Sequence, residues 1–374
     1  MKLKRLERAW KSLFFAAATK ALGRGGQSPR TRIPGDRPLR ILVLRQDRVG
    51  DAVITTGLLR ALKSANRDNV VDVLASPANA PILQRDPNVS TVHIYNKRNR
   101  SSFPDLYRAL RHGSYDVAID CMITAPSMTG LLLMLVSGAP HRIGVAGRGV
   151  DEALTHPVPL PVGRTHIIDL MAPLASPLRA DSGEVDMSPA LEVPPPERER
   201  ARAAWEGIGD PQAIRLLVNV SAGKPEREWP LERFVAVIED ALSRSSSVAA
   251  AVVGAPLDRV RTQEIARASG ATLVDTPRLS DLIAMVATAD CVLTPDTSVT
   301  HIAAALRVPA VILFQHQEVA DQWGLYRSPG ENVVGGVDSL IDLPVAPVVA
   351  AVRRLLDDCE QRAKRSGEAE PTTM

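Results

Sequence analysis

Three short turns in this chain gather the residue types that handle phosphate and protons. At residues 291–301 a short apolar run breaks at Pro295, and Asp296, Thr297 and Ser298 open an Ala-rich helix that carries His301 in its first turn. Backbone N–H groups and the positive end of the helix dipole converge at such a start, which suits a phosphate. Thr297 and Ser298 bring hydroxyl donors, and Asp296 is an acceptor suited to capping the helix or holding a ribose. A capped core helix with an incidental histidine accounts for the same residues.

The second turn, at residues 218–234, also leaves an apolar run and enters a helix. Ser221 and Gly223 suit close approach of the backbone to a ligand, and Lys224 and Arg227 are placed to neutralise phosphate charge. Trp229 followed by Pro230 reads as a helix start. A capped loop with solvated charges is the plainer alternative. The third turn, at residues 44–51, holds Arg45, Arg48, Gly50 and Asp51. Gly50 permits a tight or positive-φ turn, and Asp51 falls at a helix N-terminus. As a cap beside a dipole, Asp51 would have a lowered pKa and be a weak base at equilibrium, yet it would still accept a proton from an attacking alcohol within hydrogen-bond reach. Capping and catalysis both stay open for it. Neither a G-x-G-x-x-G fingerprint nor a Walker A sequence is present.

These turns need a scaffold, and the hydrophobic pattern supplies one. Short apolar runs at 41–44, 70–74, 92–95 and 117–119 alternate with helical stretches at 51–64, 102–112 and 127–137, with a loop at 77–88. After a proline-rich stretch at 181–197 the alternation restarts, with strands expected at 214–220, 248–253, 271–274, 291–293 and 310–314. Helices are expected at 197–206, 231–243, 258–268, 279–288 and 298–306. Apolar runs separated by helices indicate α/β domains with doubly wound parallel sheets. The expected plan is a first Rossmann-like domain over 39–180, a hinge over 181–197, a second over 198–345, and a last helix and tail over 346–374. Ligands sit at the carboxyl ends of strands in such sheets, so a cleft between two domains would receive all three turns. In that arrangement the second domain offers donors and cations for a diphosphate, and the first offers a carboxylate.

Composition narrows the classes. A chain of 374 residues suits two cores, and 45% hydrophobic with 23% charged residues is ordinary for a globular protein. A net charge of +3 without a basic, aromatic-interleaved stripe argues against nucleic acid. Cys121, Cys291 and Cys359 are far apart, with no metal-ligand spacing, so neither a disulfide framework nor a metal site is expected, and a reducing cytosol fits. Residues 1–22 differ from the rest: six basic residues against Glu7 give +5. At 100° per residue, Leu3, Leu6, Trp10, Leu13, Phe14 and Ala17 share one face, and Lys4, Arg5, Arg8 and Lys11 lie opposite. This basic amphipathic helix suits an anionic membrane surface, against the rivals of a helix docked on the protein or a signal peptide. Residues 23–38 read as a flexible linker, and the tail after Arg365 as disordered.

With those residues in hand, the chain resembles the glycosyltransferase family that contains the ADP-heptose:lipopolysaccharide heptosyltransferases. The resemblance is carried, in order, by residues 41–56, Asp120, residues 141–144, residues 228–234 and residues 295–301. It implies a GT-B fold, with the acceptor held mainly by the first domain (Arg45, Arg48, Gly50) and the nucleotide-sugar by the second (Ser221, Gly223, Asp258, Asp296). It also implies inverting, metal-independent transfer without a cofactor, with Asp51 as general base. Thr297, Ser298, Lys224, Arg227 and His301 would then serve the donor diphosphate. The acceptor would be a lipid-linked or envelope glycan, reached at the inner face of the cytoplasmic membrane through residues 1–22. This chain departs from the family's pattern at Ser298 (usually Gly), at Arg227 (usually Lys), at Pro256 (usually acidic, with Asp258 the nearest substitute) and at residues 315–318. These departures leave a non-catalytic binding protein as an alternative, and the shared architecture leaves a nucleotide-sugar epimerase as another.

Overall fold

Strands made of consecutive apolar residues are buried on both faces, and a parallel sheet covered by helices is the arrangement that buries them. The structure, a computed structural model, describes residues 2–22, 32–124, 127–163, 165–179, 186–244 and 248–368. The chain divides into two units, Met1–Ala190 and Leu191–Met374. In the first unit β1 (Arg40–Arg45), β2 (Val70–Ala75), β3 (Thr91–Ile94), β4 (Val117–Asp120), β5 (His141–Val145) and β6 (His156–Val158) form one sheet in the order β3-β2-β1-β4-β5-β6. Its pairings are parallel. In the second unit β7 (Ile214–Asn219), β8 (Val248–Val253), β9 (Thr272–Leu273), β10 (Cys291–Pro295), β11 (Ala310–Phe314) and β12 (Gly330–Val334) run in the order β12-β11-β10-β7-β8-β9, again parallel.

Read from β9, the second sheet has the strand order of the first. In each, the order reverses beside the first strand, so the connections leaving β1 and β4, and those leaving β7 and β10, diverge and open a crevice at the strand ends. The three polar turns stand at those ends: residues 46–51 follow β1, residues 221–229 follow β7, and residues 296–301 follow β10.

Several elements differ from the sequence expectation. β5, β6 and β12 were not expected, β9 has two residues rather than four, and β10 runs on through Pro295. The first helix after β1 spans Val49–Ala65, which makes Asp51 its third residue rather than its cap. A helix Pro195–Glu206 begins inside the stretch expected to be a hinge. Residues 186–190, also in that stretch, are strapped to the first unit. The Ala190 N–H donates to Thr56 Oγ1 at 2.9 Å, and Arg60 donates to the Ser188 carbonyl at 2.8 Å. Gly57 makes the approach feasible, since a Cβ there would stand 2.1 Å from the Met187 carbonyl oxygen. Residues 181–185 of the expected hinge, 23–31 of the expected linker and 369–374 of the expected tail lie outside the described residues.

The helix Lys2–Leu22 packs on the first unit, where Phe15 joins a core with Leu106, Leu110, Leu131 and Leu135. The last helix, Val345–Glu368, packs on the second sheet through Val348, Val352, Leu356 and Cys359. Among the described residues, no helix is long and apolar enough to cross a membrane.

Candidate functional site

The chain leaves β1 with its side chains inward. Arg45 is buried, its Nη1 pairs with Asp47 at 2.8 Å and stands 3.9 Å from the Asp51 carboxylate, and its Nη2 meets the Met171 sulfur at 3.2 Å. Burial opposes the charge on Arg45, but Asp47, Cys121 and Asp51 more than reverse this and hold its pKa above the ordinary value. The turn itself is fixed by two hydrogen bonds: Asn79 Nδ2 donates to the Arg45 carbonyl at 2.7 Å, and Ser76 Oγ to the Asp47 carbonyl at 2.9 Å.

Asp51 corrects one expectation. Its pKa is raised, not lowered: burial is the main cause, the Asp47 charge adds to it, and Arg45, Arg48 and the Arg48 backbone N–H oppose it. A helix N-terminus would favour the carboxylate, so here removal from water outweighs the dipole. Arg48, extended at φ −92°, is the helix cap and makes no side-chain capping bond. Asp120, at the end of β4, belongs to the same neighbourhood. Burial pushes its pKa up to about 6, although the Met122 N–H donates to it at 3.2 Å and Arg45 opposes the shift. Gln46 has both amide atoms buried and unpaired among the described residues. Its Nε2 lies where a Cβ on Gly130 would be, 2.3 Å away. Asp47, Gln46 and Asp120 were not singled out as site residues. For Asp47, its place between Arg45 and Asp51 was the signal available.

In the second unit, Thr297 caps the helix Ser298–Leu306, its Oγ1 accepting the Val299 N–H at 3.2 Å. The same oxygen receives Asn219 Nδ2 at 3.4 Å and lies 3.2 Å from Thr294 Oγ1. Thr297 Oγ1 therefore holds the turn together as an acceptor, and its hydroxyl keeps a proton to donate. Ser298 is the first helical residue, at the positive end of the dipole. His301 is buried with its ring centre 6.1 Å from that of Trp323, the packing alternative for this residue. Trp323 closes the helix Gln317–Trp323, formed from the segment that departs from the family pattern, and Gln315 is pinned to the Asp338 carbonyl at 2.7 Å.

Arg227 and Asp296 come together across 69 residues of chain. Arg227 Nη1 is 2.8 Å from the Asp296 carboxylate and donates to its carbonyl at 3.2 Å, so the residues expected to serve phosphate and ribose separately form one ion pair. Lys224 pairs loosely with Glu226 at 3.4 Å and is well exposed. Ser221 ties two strand ends, its Oγ accepting the Ala255 N–H at 2.6 Å. Gly223 has nothing within 4 Å of an added Cβ and its φ is not positive, so nothing in the protein requires glycine there. Open space beside a bare backbone is what a ligand approaching the turn would need.

Beyond β8 and β9 lies a cavity of about 200 Å³, lined by Gly254, Pro256, Arg259, Asp275 and Pro277 among others. Arg259 and Asp275 pair at its wall at 2.7 and 3.1 Å. Asp258, the expected ribose-binding acid, does not line the cavity. It stands at the start of the helix Arg259–Ser269 with its carbonyl accepting Thr262 Oγ1 at 2.8 Å. Asp275 is the carboxylate at this place, and β9 is too short for its register to have been read from the sequence.

Residues 104–332 match the family model described as glycosyltransferase family 9 (heptosyltransferase). A lipopolysaccharide heptosyltransferase 3 of Escherichia coli is 26% identical over 282 residues, covering 71% of this chain and 80% of the relative. A glycosyltransferase family 9 protein of Veillonella parvula superposes with a TM-score of 0.74 at 20% identity, covering 86% of this chain and 97% of that one. The E. coli ADP-heptose lipopolysaccharide heptosyltransferase II does so with 0.66 at 20% identity, covering 86% and 100%. These likenesses identify the two Rossmann-like units as those of the GT-B fold. The Asp51 turn precedes the segment matched by the family model.

Proposed function

Because this chain belongs to glycosyltransferase family 9 and is a glycosyltransferase, we propose that it moves a heptose or related sugar from a nucleoside-diphosphate donor to a lipopolysaccharide core or another envelope glycan. The acceptor hydroxyl attacks the anomeric carbon, the bond from that carbon to the diphosphate oxygen breaks, and the anomeric configuration inverts. Asp51 takes the hydroxyl proton. Its raised pKa makes it a stronger base than an exposed aspartate, and Arg45 at 3.9 Å orients it without forming a close ion pair.

The departing diphosphate is received by the second unit. The start of the helix Ser298–Leu306 supplies its dipole, Arg227 is aimed by Asp296, and Lys224 adds charge. These cations take the part that a divalent ion plays elsewhere, so the transfer proceeds without one. The nucleoside enters the cavity beside Gly254 and Asp275, with the bare backbone of Gly223 toward the phosphates.

The observation that carries this reading is the elevated, arginine-oriented carboxylate of Asp51 at the switch point of the first sheet. Asp51→Asn should lower kcat by about a thousandfold while leaving donor affinity unchanged by titration calorimetry. Transfer at the wild-type rate by this variant would remove Asp51 from the mechanism.

A further inference from the structure

We propose that the N-terminal helix Lys2–Leu22 is a membrane-contact element that presents Trp10, Leu13 and Phe14 to an anionic lipid surface while Phe15 anchors it to the protein. The contact itself stands on the helix alone; its purpose, reaching a lipid-linked acceptor, rests on the reading above.

An amphipathic helix that docks on its own protein normally does so through its apolar face. This one is turned the other way. Phe15 falls on the side of the wheel that carries Lys4, Arg8 and Lys11, and it is wholly buried in the core of the first unit. Ala18 packs against the same core, and Thr19 Oγ1 donates to the Glu152 carbonyl at 3.1 Å. On the face that the sequence marks as apolar, Trp10 is 59% exposed, Leu13 73% and Phe14 36%. Trp10 and Phe14 stack with ring centres 5.6 Å apart, and Phe14 meets Phe15 edge-on, so the outer ridge is continuous with the anchor.

Three large apolar side chains side by side in water are costly unless something covers them. The charge around them selects the occupant. Residues 1–22 carry +5; Lys4, Arg8 and Lys11 lie on the Phe15 side of the wheel, and the exposed Lys20 flanks the ridge beside Leu13. Two such helices would repel each other, whereas an anionic bilayer attracts them and accepts tryptophan and phenylalanine at its headgroup level. Because Phe15 and Thr19 fix the helix to the first unit, the ridge is a rigid foot of that unit.

The test is sedimentation of the full-length protein with vesicles of phosphatidylcholine and phosphatidylglycerol, against phosphatidylcholine alone. The wild type should bind the anionic vesicles, more weakly at high salt. Replacing Trp10, Leu13 and Phe14 together by serine should weaken binding by about tenfold or more. The melting curve and the transfer to a lipid-free acceptor fragment should not change. Equal vesicle binding by wild type and triple variant would overturn the proposal. So would a self-association, seen by light scattering, that the triple variant abolishes, because the ridge would then be an interface between copies. Loss of vesicle binding by the triple variant from a protein that transfers no sugar would uphold the lipid contact and reject the catalytic reading.

Discussion

The turn after β1 and the turns after β7 and β10 occupy equivalent places in two sheets of the same strand order, yet their electrostatics are opposite. The first gathers Asp47, Asp51 and Asp120 around one buried arginine, and burial lifts the pKa of both Asp51 and Asp120. The second presents a helix start, a partly exposed Arg227 and an exposed Lys224, with its one buried carboxylate, Asp296, already paired to Arg227. A common backbone thus carries a buried carboxylate cluster in one place and a helix start with cations in the other, which the mechanism proposed above uses as proton acceptor and anion receptor. The topology fixes where chemistry happens, and the side chains that leave each strand decide its sign.

The contrast is broken most severely by removing the arginine that balances the acidic half. Arg45→Met should destabilise the first unit by about 3 kcal/mol in urea unfolding, because Asp47 loses its buried partner. It should also raise the Asp51 pKa further, since Arg45 is among the groups that lower it. With Asp51 as the proposed base, the rate should fall as pH drops through that pKa, and in this variant it should begin to fall at higher pH. Asp120 gives a cleaner measure. Its folded pKa of about 6 exceeds the ordinary 3.8, so the proton it holds stabilises the fold at low pH, and that contribution is lost as pH rises through 6. Asp120→Asn should therefore raise stability by about 2 kcal/mol at pH 8 and change it little at pH 4, as followed by thermal melting.

On the receptor side, Arg227→Ala should lower kcat/KM for the nucleotide-sugar by about tenfold, with partial recovery in Arg227→Lys. An unchanged value would leave Arg227 a structural partner of Asp296. The smallest effect is expected at Ser298. Trimming it to glycine should lower the donor KM by about twofold if its Cβ crowds the phosphate, a difference visible in initial-rate titrations.

Much of this was legible before the fold. The apolar runs of β1, β2, β7, β8 and β11 are buried on both faces and announce themselves. β6 and β12 are edge strands carrying Pro157 or Gly330, Glu331 and Asn332, and β5 contains His141, Arg142 and Gly144, so none shows the uninterrupted apolar signature. The position of Asp51 was readable, but the direction of its pKa shift was not, because burial is a property of the packed turn. The pairing of Arg227 with Asp296 joins residues 69 apart, a distance at which local spacing is silent. The amphipathicity of the N-terminal helix was plain from its sequence, whereas the face it buries is the one that carries Phe15, with Ala18 and Thr19 beside it.

Trp229 has a consequence for how the protein is made. Fully buried against Phe234, it donates its indole N–H to the Leu343 carbonyl at 2.9 Å, 114 residues later, and Arg233 donates to the same oxygen. The turn that carries Lys224 and Arg227 is thereby fastened to a segment that leaves the ribosome long after it. During synthesis the first unit has all of its own residues once Ala190 has emerged, but the turn that carries Lys224 and Arg227 must wait until Leu343 has emerged as well. A nascent chain stalled before Leu343 should therefore carry a formed first unit and an unfastened second one.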